Sequence, residues 1–362
     1  MKKISYIIIS PGLSMGGVER ASTNTANGLI QIVKNESVFF LSIFKKSWFF
    51  DLNENVSCIE PKGFNIKSLH LWKTLFYIRN NVLKLKKNHL KVKILCFGRF
   101  YGALTCIALL GVKVEIFISD RNSPLFQWKF PFNAINKIAY TLNPPKGVIA
   151  QTQIAADYQK KYFFKSKVVV IPNSVREVQL FPEIKREKVI LAVGRLNDYL
   201  KGFDLLLESI ALIKNQEWQL HIAGGDENGE TLKQQAEKLG IRHRVKFLGA
   251  VKDIDRCYAY AGIYVIPSRS EGFPNALAEA MAAGCCCVAF DFVAGPRDLI
   301  SHNNNGIIVP ESDIHAMAKT IDELILDDKK RVLLGKNAMV IREKLNKSVI
   351  VEKIKTFIED EK

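Results

Sequence analysis

Residues Ser268 to Val288 read SRSEGFPNALAEAMAAGCCCV. Polar, flexible residues lead into Gly272-Phe273-Pro274, then an Ala-rich segment, then Gly284 and an apolar run. Pro274 presets φ for a helix start, where its missing N–H is no loss. Asn275 is the expected N-cap, Ala276 to Ala283 are nearly all strong helix formers, and Gly284 is the expected stop. Cys285 to Phe290 read as a short buried strand. With a further strand expected at Ile263 to Pro267, the order is strand, loop, helix, strand, the repeat of an α/β sheet.

Two glutamates carry the chemistry of this stretch. Glu271 lies on the loop before the helix and Glu279 one turn inside it. Between them the helix start offers unpaired N–H groups and the positive end of a dipole. That set suits a sugar nucleotide: phosphates at the helix start, ribose hydroxyls on the carboxylate beyond it, sugar hydroxyls on the loop carboxylate. The plainer alternative is a solvated helix residue and a loop charge.

The stretch resembles the donor-binding motif of glycosyltransferase family 4, whose pattern is Glu-Gly-x-Pro-x-x-x-x-Glu-Ala-x-Ala-x-Gly followed by an apolar strand. Cys286-Cys287 stands where that family usually has Pro-Val, a change of strand packing more than of chemistry. The resemblance covers nearly the whole chain and is strongest from 189 to 310. It implies an α/β chain of GT-B fold, two doubly wound Rossmann-like domains facing across a cleft, and a retaining nucleotide-sugar transferase of bacterial surface polysaccharide biosynthesis.

The 362 residues exceed one typical core, so two domains are expected. The boundaries read as 1–176 for an acceptor-binding domain, 177–345 for a donor-binding domain, and about 346–362 as a terminal helix packing back on the first. The formal charge of +16 is one-sided. Residues 1–180 hold 26 Lys and Arg against 9 Asp and Glu, a balance of +17, while 181–362 hold 26 against 27. A basic half points to an anionic partner such as a membrane surface or a phosphorylated acceptor; a lysine-rich surface kept for solubility is the bland alternative. No aromatic-interleaved or helix-turn-helix pattern supports nucleic acid. The seven cysteines show no zinc spacing and read as small buried apolar residues of a reducing compartment. No signal peptide or membrane span is evident, so a cytoplasmic protein, or one peripheral at the inner face of the plasma membrane, is expected.

In the first half, a strand at Lys3 to Ser10 runs through Gly16-Gly17-Val-Glu-Arg20 into a helix from Ala21 to Ile30, the topology that cradles phosphates. This loop resembles the Gly-Gly-x-Glu-Arg of many family members, which puts Gly16 and Gly17 beside the donor. Residues 66–90 carry a helical stripe including Ile66, Leu69, Trp72, Leu75, Phe76 and Val82, with Lys67, Lys73, Arg79, Lys84, Lys86 and Lys87 around it. This is either a basic amphipathic helix for anionic lipid or a sheet-covering helix with a solvated face. The loop Ser119-Asp120-Arg121-Asn122-Ser123-Pro124 leaves the carboxyl end of a strand, where open α/β sheets place their sites. Many family members have a catalytic histidine near here; this chain has acidic-Arg-Asn-x-Pro instead. Asp120 is a candidate to orient or deprotonate the acceptor, or it pairs with Arg121. Arg121, Asn122 and the Asn173 of Ile171-Pro-Asn-Ser-Val175 are acceptor-side candidates. Leu125 to Leu142, rich in aromatics, reads as a hairpin of helices facing lipid or acceptor, or packing into the core.

In the second half, Gly194-Arg195-Leu196 follows a strand, and Lys201-Gly202-Phe203-Asp204 opens a helix. Two cations flanking a strand-to-helix loop can meet a diphosphate, and this pair resembles the family's pyrophosphate site. Asp253-Ile254-Asp255 opens a helix, so Asp253 reads as an N-cap and no metal is expected. Gly295-Pro296-Arg297-Asp298 resembles a family turn, with Arg297 pairing to Asp298 as the alternative. The expected assignment puts Arg195 and Lys201 on the diphosphate, Glu279 on the ribose, and catalytic Glu271 with Phe273, Pro274, Asn275, Ala276 and Leu277 around the donor. No cofactor beyond the nucleotide-sugar co-substrate is expected. The acceptor is expected to be lipid-diphosphate-linked or a polysaccharide. A sugar-nucleotide epimerase or phosphorylase on the same fold, or a non-enzymatic basic membrane-binding protein, are the competing readings.

Overall fold

The computed structural model describes residues 4–13, 16–33, 36–45, 48–61, 71–88, 91–126, 128–225 and 229–360. Two compact units emerge, Met1–Ser174 with Lys347–Lys362, and Val175–Asn346.

The first unit runs β1 (Ile4–Ser10), α1 (Gly17–Ile32), β2 (Ser37–Ser42), β3 (Ser57–Ile59), α2 (Leu71–Asn88), β4 (Lys91–Phe97), α3 (Arg99–Ala108), β5 (Glu115–Ser119), α4 (Phe132–Leu142), β6 (Gly147–Ala150), α5 (Gln153–Tyr162) and β7 (Lys167–Val170). The second runs β8 (Glu187–Val193), α6 (Phe203–Leu212), β9 (Gln219–Ala223), α7 (Glu230–Lys238), β10 (Val245–Gly249), α8 (Ile254–Tyr260), β11 (Ala261–Ile266), α9 (Asn275–Ala282), β12 (Cys287–Phe290), α10 (Pro296–Leu299), β13 (Ile307–Val309), α11 (Ile314–Leu326), α12 (Asp328–Ala338) and α13 (Ile341–Lys344). Then α14 (Lys347–Glu359) returns to the first unit.

Both sheets are parallel, ordered β3-β2-β1-β4-β5-β6-β7 and β10-β9-β8-β11-β12-β13. In each, the order reverses beside the first strand, between β1 and β4 and between β8 and β11. A crevice forms outside the carboxyl ends of strands at such a switch point. Central strands covered on both faces are near-continuous apolar runs, as in the ISYIIIS of β1 and the CVAF of β12.

Lys93 breaks that rule inside β4, buried to 1% exposure. Its ammonium donates to the Ile358 carbonyl near the end of α14 and pairs with Glu115 at 3.0 Å. A cation at a helix carboxyl end is favourably placed. Tyr6 donates to Glu359, and Lys167 pairs with Asp360 at 2.7 Å. Gly28 lets α14 approach α1: a Cβ there would lie 2.5 Å from Val351. The terminal helix is thus part of the first unit's core.

Several local readings change. Residues 125–126 and 128–131 are not helical, and only α4 is. Pro131 immediately precedes α4, and a proline disfavours helix at the residue before it. Residues 328–359 form three helices, broken near Met339 and Leu345. Asn275 is the first helical residue, because the Pro274 carbonyl already accepts from the Ala278 N–H at 3.1 Å. Cys58 is half-buried, unlike the other six cysteines. Ile66, Lys67, Leu69 and Asp226 lie outside the described residues.

Candidate active site

The second unit's site is built where β8 and β11 end side by side. The chain leaves β8 through Gly194-Arg195 and enters a 3-10 turn at Tyr199–Lys201. It leaves β11 through Pro267 to Glu271. Gly202 joins the two loops. Its φ is +66°, and a Cβ there would sit 1.9 Å from the Pro267 carbonyl oxygen, so only glycine permits the approach. Arg269 staples the same seam. It forks onto Asp204 with bonds of 2.7 and 2.6 Å, donates to the Tyr199 carbonyl at 2.9 Å and stacks over the Tyr199 ring at 3.9 Å. Its backbone N–H bonds the Leu200 carbonyl at 2.8 Å. The Asp204 bond holds the Arg269 guanidinium above its usual pKa, although burial opposes it. Burial would raise the Asp204 pKa, but Arg269 outweighs that and lowers it.

This seam brings Lys201 and Glu271 together across 70 residues of sequence. Lys201 Nζ lies 2.7 Å from Glu271 Oε1, with both side chains mostly buried. The Ser268 hydroxyl donates to the same oxygen at 2.8 Å. Arg195 differs: its side chain is 74% exposed and pairs with Asp198 at 2.8 Å. It stands at the mouth of the loop, long enough to reorient toward a ligand.

The start of α9 follows directly. Phe273 and Pro274 are buried, and Asn275 and Ala276 are half-buried at the first turn. Leu277 is wholly buried, so only its backbone can reach a ligand. Pro274 makes no side-chain cap, which leaves the helix start to be satisfied from outside the side chain of its N-cap. Glu279, 7% exposed, sits within 3.3 Å of the Arg176 Nε and accepts from the Tyr258 hydroxyl at 3.4 Å. Arg176 also bonds Asp255 Oδ2 at 2.9 Å, and Asp255 accepts from the Gln179 N–H at 2.9 Å. Burial disfavours the Arg176 charge, but Asp255 and Glu279 outweigh it and raise its pKa. Burial would raise the Asp255 pKa, yet Arg176 lowers it. Of the Asp253-Ile-Asp255 motif, Asp253 caps α8 through the Arg256 N–H and Asp255 serves Arg176. Arg297 pairs with Asp291 at 2.5 Å, not with the neighbouring Asp298.

In the first unit, the candidate residues gather at the carboxyl ends of β4 to β7. Asp120 pairs with Arg99, not with Arg121. Its Oδ2 accepts from Arg99 Nε at 2.8 Å and Nη2 at 2.5 Å, and the carboxylate is fully buried. Its other oxygen accepts from the Asn122 N–H at 3.4 Å and from the Asn122 side chain at 3.3 Å. Burial disfavours the charge on Arg99, and Asp120 outweighs it, so its pKa is raised. Asp120 therefore anchors the 120–122 turn. Arg121 donates to Asn173, which also accepts from Gln151 at 3.0 Å, and its guanidinium lies over the Phe97 ring at 5.4 Å. Burial pushes the Arg121 pKa down to about 10. Gly16 precedes α1, where a Cβ would lie 2.2 Å from the Glu19 carboxylate, while Gly17 has open space.

Residues 175–341 match the family described as glycosyl transferases group 1. This chain is a glycosyltransferase of the GT-B fold. An uncharacterised glycosyltransferase of Haemophilus influenzae is 29% identical over 362 residues, covering 99% of this chain and all of that one. A Campylobacter jejuni α-1,4-N-acetylgalactosaminyltransferase acting on a glycan linked to undecaprenol diphosphate is 27% identical over 352 residues, 93% of each chain. In fold, the chain is similar to Anabaena HepE crystallised with UDP, at a TM-score of 0.75 and 18% identity over 98% of this chain and 99% of that one. An amylovoran biosynthesis glycosyltransferase of Erwinia amylovora is 25% identical over 336 residues, 90% of this chain and 91% of that one.

Sequence reading missed Arg99, Arg176, Tyr258 and Arg269 as parts of these clusters. Arg269 lies two residues before Glu271, a signal that was available. Nothing local links Arg176 to Asp255, which is 79 residues away.

Proposed function

We propose that the glycosyltransferase moves a hexosyl or N-acetylhexosaminyl group from a nucleotide sugar, a UDP-sugar first among them, with retention of anomeric configuration as in family 4. The observation that carries this is the meeting of Lys201, Glu271 and the start of α9 at the β8/β11 switch point, with Glu279 one turn inside. Lys201 and Arg195 take the diphosphate, Glu279 the ribose and Glu271 the sugar. As the glycosidic bond breaks, negative charge grows on the diphosphate. Lys201 and Arg195, drawn from Glu271 and Asp198 onto the diphosphate, stabilise that charge together with the helix N–H groups, which is where such sites gain most of their rate. Phe273 to Leu277 shape the donor pocket. Gly16 and Gly17 keep the donor-side assignment that the resemblance to family 4 gives them.

The acceptor we assign is a lipid-diphosphate-linked or polysaccharide glycan presented at the anionic inner face of the plasma membrane, with the Asp120 turn, Arg121, Asn122 and Asn173 on the acceptor side. The basic first half supports this, as does the undecaprenol-diphosphate-linked acceptor of the Campylobacter relative. No described helix is long and apolar enough to cross a membrane, so attachment would be peripheral.

A thermal-shift panel of UDP-, GDP- and ADP-sugars tests the donor. A true donor at ~100 times its dissociation constant stabilises the protein by about 2.7 kcal/mol. Labelled donor with a lipid-linked acceptor then tests transfer. A panel with no shift, or a labelled donor altered without any acceptor, would sink the proposal.

A further inference from the structure

The first unit carries an exposed face that the donor chemistry does not use. On α2, Trp72 is 76% and Phe76 63% exposed. On the loop before α4, Phe126 is 45% and Phe130 83% exposed. These are large aromatic surfaces to leave in water. Topology places them together. Helix α3 packs against α2 on one side and α4 on the other, so the three cover one face of the sheet. Because α2 leads into the start of β4 and α4 into the start of β6, both helices begin near the carboxyl edge of the sheet. The aromatics lie at that edge, the same edge as Asp120. Underneath, Trp128 packs on Phe100 of α3 at 5.3 Å and on Phe132 of α4 at 5.9 Å, with Phe126 edge-on above it at 5.2 Å. Phe126 thus stands on a braced aromatic base.

Charge decides what covers this face. Residues 61–114 contain no Asp or Glu, and neither do 121–156. At 3.6 residues per turn, Trp72, Lys73, Phe76, Lys84 and Lys87 fall in one arc of roughly 120°, opposite the buried Thr74, Ile78 and Val82. Lys129 stands between Phe126 and Phe130. Two copies of this face would bring lysine against lysine with no acid to answer. A neutral apolar partner would bury ammonium groups unpaired. An anionic bilayer satisfies both components, because aromatic rings settle at headgroup level and lysines meet lipid phosphates.

We propose that the outer face of α2 and the loop residues 125–126 and 128–130 form the surface on which this protein rests on an anionic membrane. Trp72, Phe76, Phe126 and Phe130 enter the interface, and Lys73, Lys84, Lys87 and Lys129 hold the headgroups. The proposal rests on the reading of a membrane-presented acceptor and names the surface that delivers the enzyme to it.

The test is co-sedimentation of the full chain with phosphatidylcholine vesicles, with and without phosphatidylglycerol, at low salt. The wild type should bind only the phosphatidylglycerol-containing vesicles. Trp72→Ser/Phe76→Ser and Phe126→Ser/Phe130→Ser should each weaken that binding at least about tenfold, the scale expected for taking aromatic side chains out of an apolar environment. Lys84→Glu/Lys87→Glu should do the same and flatten the salt dependence. Leu326→Ser, at an 85% exposed apolar residue of the other unit, should bind as wild type. Unchanged melting temperatures show that the variants fold. Aromatic variants that fold and bind like wild type overturn this surface alone. Equal binding to neutral vesicles, or concentration-dependent self-association lost in the aromatic variants, overturns the anionic occupant. A wild type that binds no vesicle removes the membrane-presented acceptor as well.

Discussion

Lys201 and Glu271 pair with one another, so a diphosphate must draw the ammonium toward itself and release the carboxylate for the sugar. Lys201→Ala should therefore reduce turnover by ~10²–10³, measured with labelled donor, while the melting temperature stays near wild type. Arg176 touches no reacting atom; it positions Glu279. Arg176→Gln should weaken UDP more than 2′,3′-dideoxy-UDP, shrinking the preference for ribose hydroxyls. Competition binding reads this directly, and equal weakening of both ligands would leave Arg176 a purely structural role. Asp255 sets a pH dependence. Its folded pKa is lowered by Arg176, below an unfolded value of about 3.9. Its contribution to stability is thus complete above that value and lost as pH falls through the folded pKa. Melting curves below about pH 4 should fall less steeply for Asp255→Asn than for wild type, and parallel curves would contradict this.

At the scale of elements, two loops from strands far apart in sequence are locked by one glycine and one arginine. Gly202→Ala combines a left-handed φ with a 1.9 Å clash against the Pro267 carbonyl. A cost of ~2 kcal/mol would lower the melting temperature of that unit by roughly 4–8 °C and displace Lys201. Arg269→Ala should leave the sheet intact and raise the donor KM, since it loosens the 3-10 turn without touching the core. How far each loop could be read from sequence differed for a physical reason. Proline at a helix start and glycine at its end are local signals, so the helix from Pro274 to Gly284 was legible to within a residue. The seam between Lys201 and Glu271 depends on β8 and β11 being neighbours, which no local pattern states.

Across the whole molecule, α14 completes the first unit from the far end of the chain. Its Val351, Ile354, Phe357 and Ile358 are buried, and Lys93 satisfies its last turn. Deleting Lys347–Lys362 should leave Lys93 buried beside Glu115 alone and expose apolar surface on α1 and β6. Calorimetry should then show the first unit melting well below its full-length temperature while the second is little changed; unchanged melting of both would refute the role given to α14.

The sequence alone determined the parallel α/β class, the two-part organisation, the Ala-rich helix with a glutamate on either side of its start, and the basic character of one half. Each of these is written in short-range periodicity, turn chemistry or composition. Only the tertiary structure decided which charges meet: Asp120 with Arg99 and not Arg121, Asp255 with Arg176, Arg297 with Asp291 and not Asp298. Partner choice among buried charges depends on which loops the strand order brings together and on how far each side chain reaches. Sequence spacing carries neither quantity: the crossover connections of a parallel sheet set Arg99 beside Asp120 and Arg176 beside Asp255, 21 and 79 residues apart, while Arg297 reaches back six residues past its neighbour.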